Sequence, residues 1–209
     1  MLRIAFGAVI SMLGLFRAEP SAQRFWTFEE DVPGLIARGF VGEAGWWEVV
    51  DTPEGRVLAQ KASNPDKTFN VALAGGTEAV DVDLSVRVRA VEGVEDQGGG
   101  LVWRALDGRN YYVARHNPLE DNFRVDKVVD GVRTLFQDAP APKKAGWRGV
   151  RVVMVGDHIE CFLDGLKLLD VHDSTFTKPG RVGVWSKADA RSYFDDLKLQ
   201  VVGAAKELR

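Results

Sequence analysis

Gly98-Gly99-Gly100-Leu101-Val102-Trp103-Arg104-Ala105-Leu106-Asp107-Gly108-Arg109-Asn110-Tyr111-Tyr112-Val113-Ala114-Arg115-His116-Asn117-Pro118-Leu119-Glu120-Asp121-Asn122 reads as two strands about a tight turn. Asp107-Gly108 supplies the turn, because Asp and Gly tolerate the left-handed backbone that a two-residue hairpin needs. Side chains alternate across a strand. Leu101, Trp103 and Ala105 therefore share one face, and Val102 and Arg104 the other. In the second strand Tyr111, Val113, Arg115 and Asn117 oppose Tyr112, Ala114 and His116.

The same grammar extends outward. Val80, Val82, Leu84, Val86 and Val88 alternate with Asp81, Asp83, Ser85 and Arg87, the pattern of a strand with one buried and one wet face. Asp130-Gly131, Gly156-Asp157 and Asp164-Gly165 mark further hairpins. Strand-like runs at Phe25–Phe28, Trp46–Val50, Arg56–Lys61, Phe69–Leu73, Arg181–Ser186 and Ser192–Val202 bring the total to about thirteen strands, at the turn spacing of a sandwich. The only helical turn anticipated after the first strand lies at Asp173–Phe176, and Ala139–Lys144 reads as a loop. A sheet with one apolar face must bury it, and a second sheet does so. The expected fold is all-β: one two-sheet antiparallel β-sandwich over residues 24–202, a jelly roll, with a frayed tail at 203–209.

The chain has 209 residues, 45% of them hydrophobic, with 27 basic and 30 acidic side chains. A net charge of −3 with scattered basic residues argues against nucleic acid, which selects a basic face. Arg3, the apolar run Ile4–Phe16 and the small residues through Ser21 and Ala22 predict a signal peptide at 1–22, with export to the periplasm or beyond. The run is too short to span a bilayer comfortably, so no stable membrane insertion is expected once it is removed. The single cysteine, Cys161, excludes an internal disulfide and reads as a small core residue. His116, His158 and His172 do not stand at metal-ligand spacing.

Five blocks line up with a known family: 99–105 (Gly-Gly-Leu-Val-Trp-Arg-Ala), 110–115 (Asn-Tyr-Tyr-Val-Ala-Arg), 159–165 (Ile-Glu-Cys-Phe-Leu-Asp-Gly), 180–189 (Gly-Arg-Val-Gly-Val-Trp-Ser-Lys-Ala-Asp) and 193–197 (Tyr-Phe-Asp-Asp-Leu). On these blocks the chain resembles the concanavalin A-like lectin/glucanase superfamily. More narrowly, it resembles exported bacterial domains of unknown function related to the 3-keto-disaccharide hydrolase domain family. The resemblance implies a concanavalin A-like sandwich and a glycan or oligosaccharide partner. It also implies two alternatives: a glycoside hydrolase acting on a modified (3-keto) disaccharide, or a non-catalytic structural or adhesion domain.

Retaining glycosidases need two carboxylates about 5 Å apart. Asp81-Val82-Asp83 is followed by Ser85 where a further acid belongs, and the paired-acid run of the superfamily's glucanases is missing. No catalytic residue is assigned; His116 with Glu120 or Asp121 is the one local pairing. A binding surface is better supplied. Sugars stack on aromatic rings while charged and amide groups bond their hydroxyls. Arg104, Arg115, Asn117, Asn122, Arg124 and Lys187 offer the polar groups, and Tyr112, Trp185 or Trp103 the platform. The competing reading makes the Trp rings core and the arginines cross-strand partners of acids. Asp195 shares parity with Leu197, Leu199 and Val201, which points its carboxylate inward. A structural calcium held with Glu29, Glu30 or Asp31 would satisfy it; a bulge or an arginine partner would do so equally.

Overall fold

The computed structural model describes residues 23–203. The expected signal segment and the tail beyond Gly203 lie outside the described residues. Fifteen strands form two sheets. The eight-stranded sheet runs β13 (Leu166–His172), β12 (His158–Leu163), β11 (Arg148–Val155), β6 (Val82–Glu92), β15 (Arg191–Val201), β4 (Gly55–Gln60) and β3 (Trp47–Thr52), with β1 (Gln23–Trp26) also paired to β15. The seven-stranded sheet runs β10 (Val132–Pro140), β9 (Asn122–Val129), β8 (Asn110–Asn117), β7 (Gly99–Asp107), β14 (Gly180–Lys187), β5 (Phe69–Ala79) and β2 (Phe40–Ala44). Neighbouring strands pair antiparallel throughout. No helix among the described residues is long and apolar enough to cross a membrane.

The alternation read from the sequence builds the core. Val82, Leu84, Val86 and Val88 of β6 and Val150, Val152 and Met154 of β11 meet Leu101, Trp103, Tyr112, Ala114, Phe123 and Val125 of the facing sheet. Asp130-Gly131 (φ 51° and 83°) and Asp164-Gly165 (φ 51° and 84°) are left-handed at both positions, which matches the twist of the strands they join. Three local readings change. The 173–176 segment is not helical; Asp173 instead accepts bonds from the Thr175 N–H (2.8 Å) and the Tyr112 hydroxyl (2.6 Å). Strand β10 extends through Pro140, which an edge strand tolerates because no ladder donor is needed there. Strand β2 was hidden by the turn-like glycines Gly39, Gly42 and Gly45 that punctuate it.

Trp103 and Tyr112 are therefore core residues and not a sugar platform: both are fully buried, stacked with centroids 5.6 Å apart. Arg104 is also corrected. Its φ is 46°, and the β7 register shifts between Trp103 and Asp107. This bulge turns Arg104 away from the sheet face into the end of the sandwich. There its guanidinium donates to the carbonyls of Val80 (2.7 Å), Phe176 (2.8 Å) and Gly156 (2.6 Å) and pairs with Asp81 at 3.2 Å. A left-handed non-glycine backbone costs about 1 kcal/mol or more, and these bonds offset it.

Beyond the bulge, the hairpin tip arches over the outer face of its own sheet. A Cβ on Gly108 would lie 2.6 Å from Glu43 Cβ, although β14 and β5 stand between β7 and β2. A second contact shows the same curl. β10 and β5 are five strands apart, about 24 Å across a flat sheet. Yet the Arg133 guanidinium lies 5.6 Å from the Phe69 ring centre. The outer face of the seven-stranded sheet is thus concave. It holds a second apolar cluster that includes Val71, Leu73, Val102, Tyr111, Val113 and Trp185.

Arg104→Met keeps the bulk and removes every guanidinium donor, taking its partner from each of three carbonyls and leaving Asp81 only the Gly156 N–H at 2.9 Å. Urea denaturation should report a loss of about 3–5 kcal/mol; a loss well under 1 kcal/mol would refute the anchoring role.

Candidate functional site

Cross-strand register decides which side chains meet on the concave face. Trp185, Gly100, Arg115 and Arg124 stand in one row across β14, β7, β8 and β9. Gly100 has no side chain, so the Arg115 guanidinium reaches the Trp185 ring, 5.9 Å from its centre. The next rows place Asp126 beside Val113, and Val128 between Tyr111 and Arg133. Trp185 Nε1 donates to the Tyr111 hydroxyl at 3.1 Å, which locks both rings beneath the charged layer.

Arg115 is 1% exposed. Its Nη2 donates to Glu120 Oε2 at 3.3 Å, and Nε and Nη1 have no partner. Asp126 is 2% exposed; Oδ1 lies 3.7 Å from Arg133 Nε, and Oδ2 is unpartnered, as are Arg133 Nη1 and Asn122 Oδ1. Buried polar groups are nearly always satisfied, so this cluster of unmatched donors and acceptors on one face is the candidate site. Around it, Glu120 Oε2 accepts from Asn122 (2.9 Å) and pairs with Arg124 (3.3 Å). Arg124 pairs with Asp138 at 3.1 Å. Lys187 pairs with Asp66 (2.5 Å) and Asp96 (3.3 Å).

These surroundings divide the carboxylates. Burial pushes Asp126 above the usual aspartate range, more than Arg133 and Arg115 pull it down. Burial likewise raises Asp96 against Arg115 and Lys187. Burial also acts upward on Glu120, but the Asn122 hydrogen bond and the charges of Arg115 and Arg124 outweigh it and hold it low. Arg115 itself is pushed down, by burial first and then by Arg133.

Of the residues expected from sequence, Arg115, Asn122, Arg124, Trp185 and Lys187 gather on this face. Trp185 is only 1% exposed, so it is a floor under Arg115 and not an open stacking platform. Asn117 is buried and spent: it donates to Asp96 (2.9 Å) and accepts from the Leu119 and Glu120 amides. Arg104 and Tyr112 lie elsewhere, as described above. Asp126, Arg133 and Phe69 were missed because only strand register and the curl bring them in. Asp96 joins from the loop before β7 through Asn117 and Lys187, and Tyr111 was within reach of the sequence because it shares the parity of Arg115.

The other sequence pairings separate. His116 turns inward, toward the Ala141 carbonyl at 3.3 Å. Burial and the Arg148 charge push it down to about 4. Glu120 stands on the opposite face from it, and Asp121 accepts the Lys143 N–H. The three acids expected to share a calcium are not gathered: Glu29 accepts the Arg56 N–H (3.2 Å), Asp31 pairs with Arg38 (3.3 Å), and Asp195 pairs with Arg87 (2.6 Å). A bulge between Asp195 and Lys198 interrupts the alternation on which the inward reading relied.

No family model and no curated protein matches the sequence. Solved structures do match in fold. The carbohydrate binding module CBM66 from Bacillus subtilis is 22% identical with a TM-score of 0.66, over 77% of this chain and 94% of that one. The Crh5 transglycosylase in complex with NAG is 11% identical with a TM-score of 0.63, over 90% of each chain. The GH43 protein BlXynB from Bacillus licheniformis is 14% identical with a TM-score of 0.62, over 85% of this chain and 39% of that one. The two-sheet antiparallel β-sandwich is thus a fold shared with these three structures.

The raised carboxyl of Asp126 makes a pH prediction. A group raised in the folded state stabilises the fold fully below its unfolded value, about 4, and that contribution is lost as pH rises through the folded one. Asp126→Asn cannot titrate. Its stability relative to wild type, measured by urea denaturation, should therefore increase from about pH 3 toward neutrality. A pH-independent difference would count against the burial argument.

Proposed function

We propose that this chain is an exported carbohydrate-binding module that seats a glycan on the concave face, over Arg115 and Asp126. The observation that carries this reading is the unmatched set: Arg115 Nε and Nη1 and Asp126 Oδ2. Two free donors beside a free acceptor complement a sugar diol, whose hydroxyls both accept and donate. Arg133 lies over the Phe69 ring, a contact worth about 0.5–1 kcal/mol when exposed, and also faces Asp126 at 3.7 Å, so a ligand that displaces it must replace both contacts. A sugar ring that displaces Arg133 would stack on Phe69 and reach Arg115 beneath. Glu120, Arg124 and Lys187 would then line the rim.

A glycosidase alternative rests on one observation. Burial raises the Asp126 carboxyl, whereas Asn122, Arg115 and Arg124 hold that of Glu120 low, and environments that push two carboxyls apart suit an acid and a base. Turnover of glycans, with 3-keto-disaccharides included because the sequence resemblance implies them, would favour it. Binding without turnover favours the module.

A glycan array followed by calorimetry on the hits tests the proposal. Arg115→Lys and Asp126→Asn should each weaken binding about 10–100-fold, the worth of a hydrogen bond to a charged group. Phe69→Ala should weaken it about tenfold, with near-UV dichroism confirming the fold. No binding to any glycan, or binding indifferent to all three changes, overturns the reading. Export is tested separately by fusing residues 1–22 to a reporter that is active only outside the cytoplasm.

A further inference from the structure

The three histidines stand far apart in sequence, but β-pairing brings two of them together. His158 and His172 are direct partners across β12 and β13. Their rings stack, with centroids 4.6 Å apart and planes 12° from parallel. Asp170, two residues before His172, turns its Oδ1 to His158 Nε2 at 2.8 Å. One ligand atom from each of the three lies within 4.8 Å of the others, and no other such trio of His, Cys, Asp or Glu is found among the described residues. This face belongs to the eight-stranded sheet and is separate from the concave face.

The geometry points to a binding site for a first-row divalent transition-metal ion, formed by His158, Asp170 and His172. Two imidazoles and one carboxylate are a three-ligand set that leaves a fourth, water-filled position on zinc. Tetrahedral bonds of 2.0–2.1 Å set ligand atoms about 3.3 Å apart, so His158 Nε2 and Asp170 Oδ1 need to separate only slightly. Both side chains are part-exposed, at 40% and 45%, and free to do so. Asp157 supports the third ligand: its Oδ1 lies 3.2 Å from His172 Nδ1. A carboxylate on one ring nitrogen orients the ring and presents the other nitrogen to the metal. Strand pairing fixes the two backbone positions, and because the stacked rings direct their in-plane lone pairs side by side, one imidazole turns about its side-chain torsions to meet the ion. Lys167 Nζ, 2.8 Å from Asp170 Oδ2, reduces the negative charge of the site. The lysine charge opposes any dication equally; the selectivity comes from the two imidazoles, which suit zinc, copper and nickel, whereas calcium and magnesium take oxygen ligands.

Calorimetric titration of the full chain with zinc chloride tests the site. One equivalent should bind, and excess calcium or magnesium should not compete. His158→Ala and His172→Ala should each weaken binding at least tenfold, and the double variant should abolish it. Cobalt added to the unmodified protein should give the visible bands of a tetrahedral nitrogen–oxygen site. Absence of zinc heat, zinc affinity unchanged in both single variants, or an octahedral cobalt spectrum would each overturn the proposal.

Discussion

A guanidinium with two unmatched nitrogens lies at the bottom of a curled sheet, and the rest of the concave face is arranged around it. Arg115 is held by one carboxylate, Glu120, and by the face of Trp185. Charge taken out of water is costly unless it is paired and hydrogen-bonded. The sandwich core gains nothing from a charge there, since its apolar contacts are made on the other face of the same strands. Buried groups that break the rule of satisfaction concentrate where a protein acts on something else.

Arg104 makes the contrast. It is as deeply buried as Arg115, sits on the neighbouring strand, and has a partner for each of its three nitrogens. One arginine is structural cement between hairpin ends; the other is poised. The Arg104 bulge also shapes the site, because it bends the β7–β8 tip over the outer face.

Much of the fold was legible in the sequence. The β6 alternation and the turns at Asp130-Gly131 and Asp164-Gly165 follow local physics, side-chain parity and left-handed backbone. At the opening hairpin the turn instead falls on Gly108-Arg109, and neither Asp107 nor Gly108 is left-handed. Parity also set Arg115 correctly on the side away from the core. It failed at Arg104 and Asp195, where a bulge adds a residue and flips the side chain. The aromatic platforms failed for a different reason. Trp103 and Tyr112 point into the core between the sheets, and only Trp185 is hidden on the outer face by curvature, which arises from the whole sheet. Asp126 and Arg133 carry no local motif at all; they join the site only through register and curl. His158 and His172, likewise, are adjacent only because β12 and β13 pair.

The central claim is that Arg115 is a ligand contact and not an unfinished piece of packing. The most direct test follows the Nε–H resonance of Arg115 by nitrogen-15 NMR, while a glycan that binds the protein is titrated in. A ligand bonded to Nε should shift that resonance, saturating at the same concentration as calorimetry, while the Arg104 Nε–H, already bonded to the Val80 carbonyl, stays in place. Saturable glycan binding that leaves the Arg115 resonance unmoved would contradict the account.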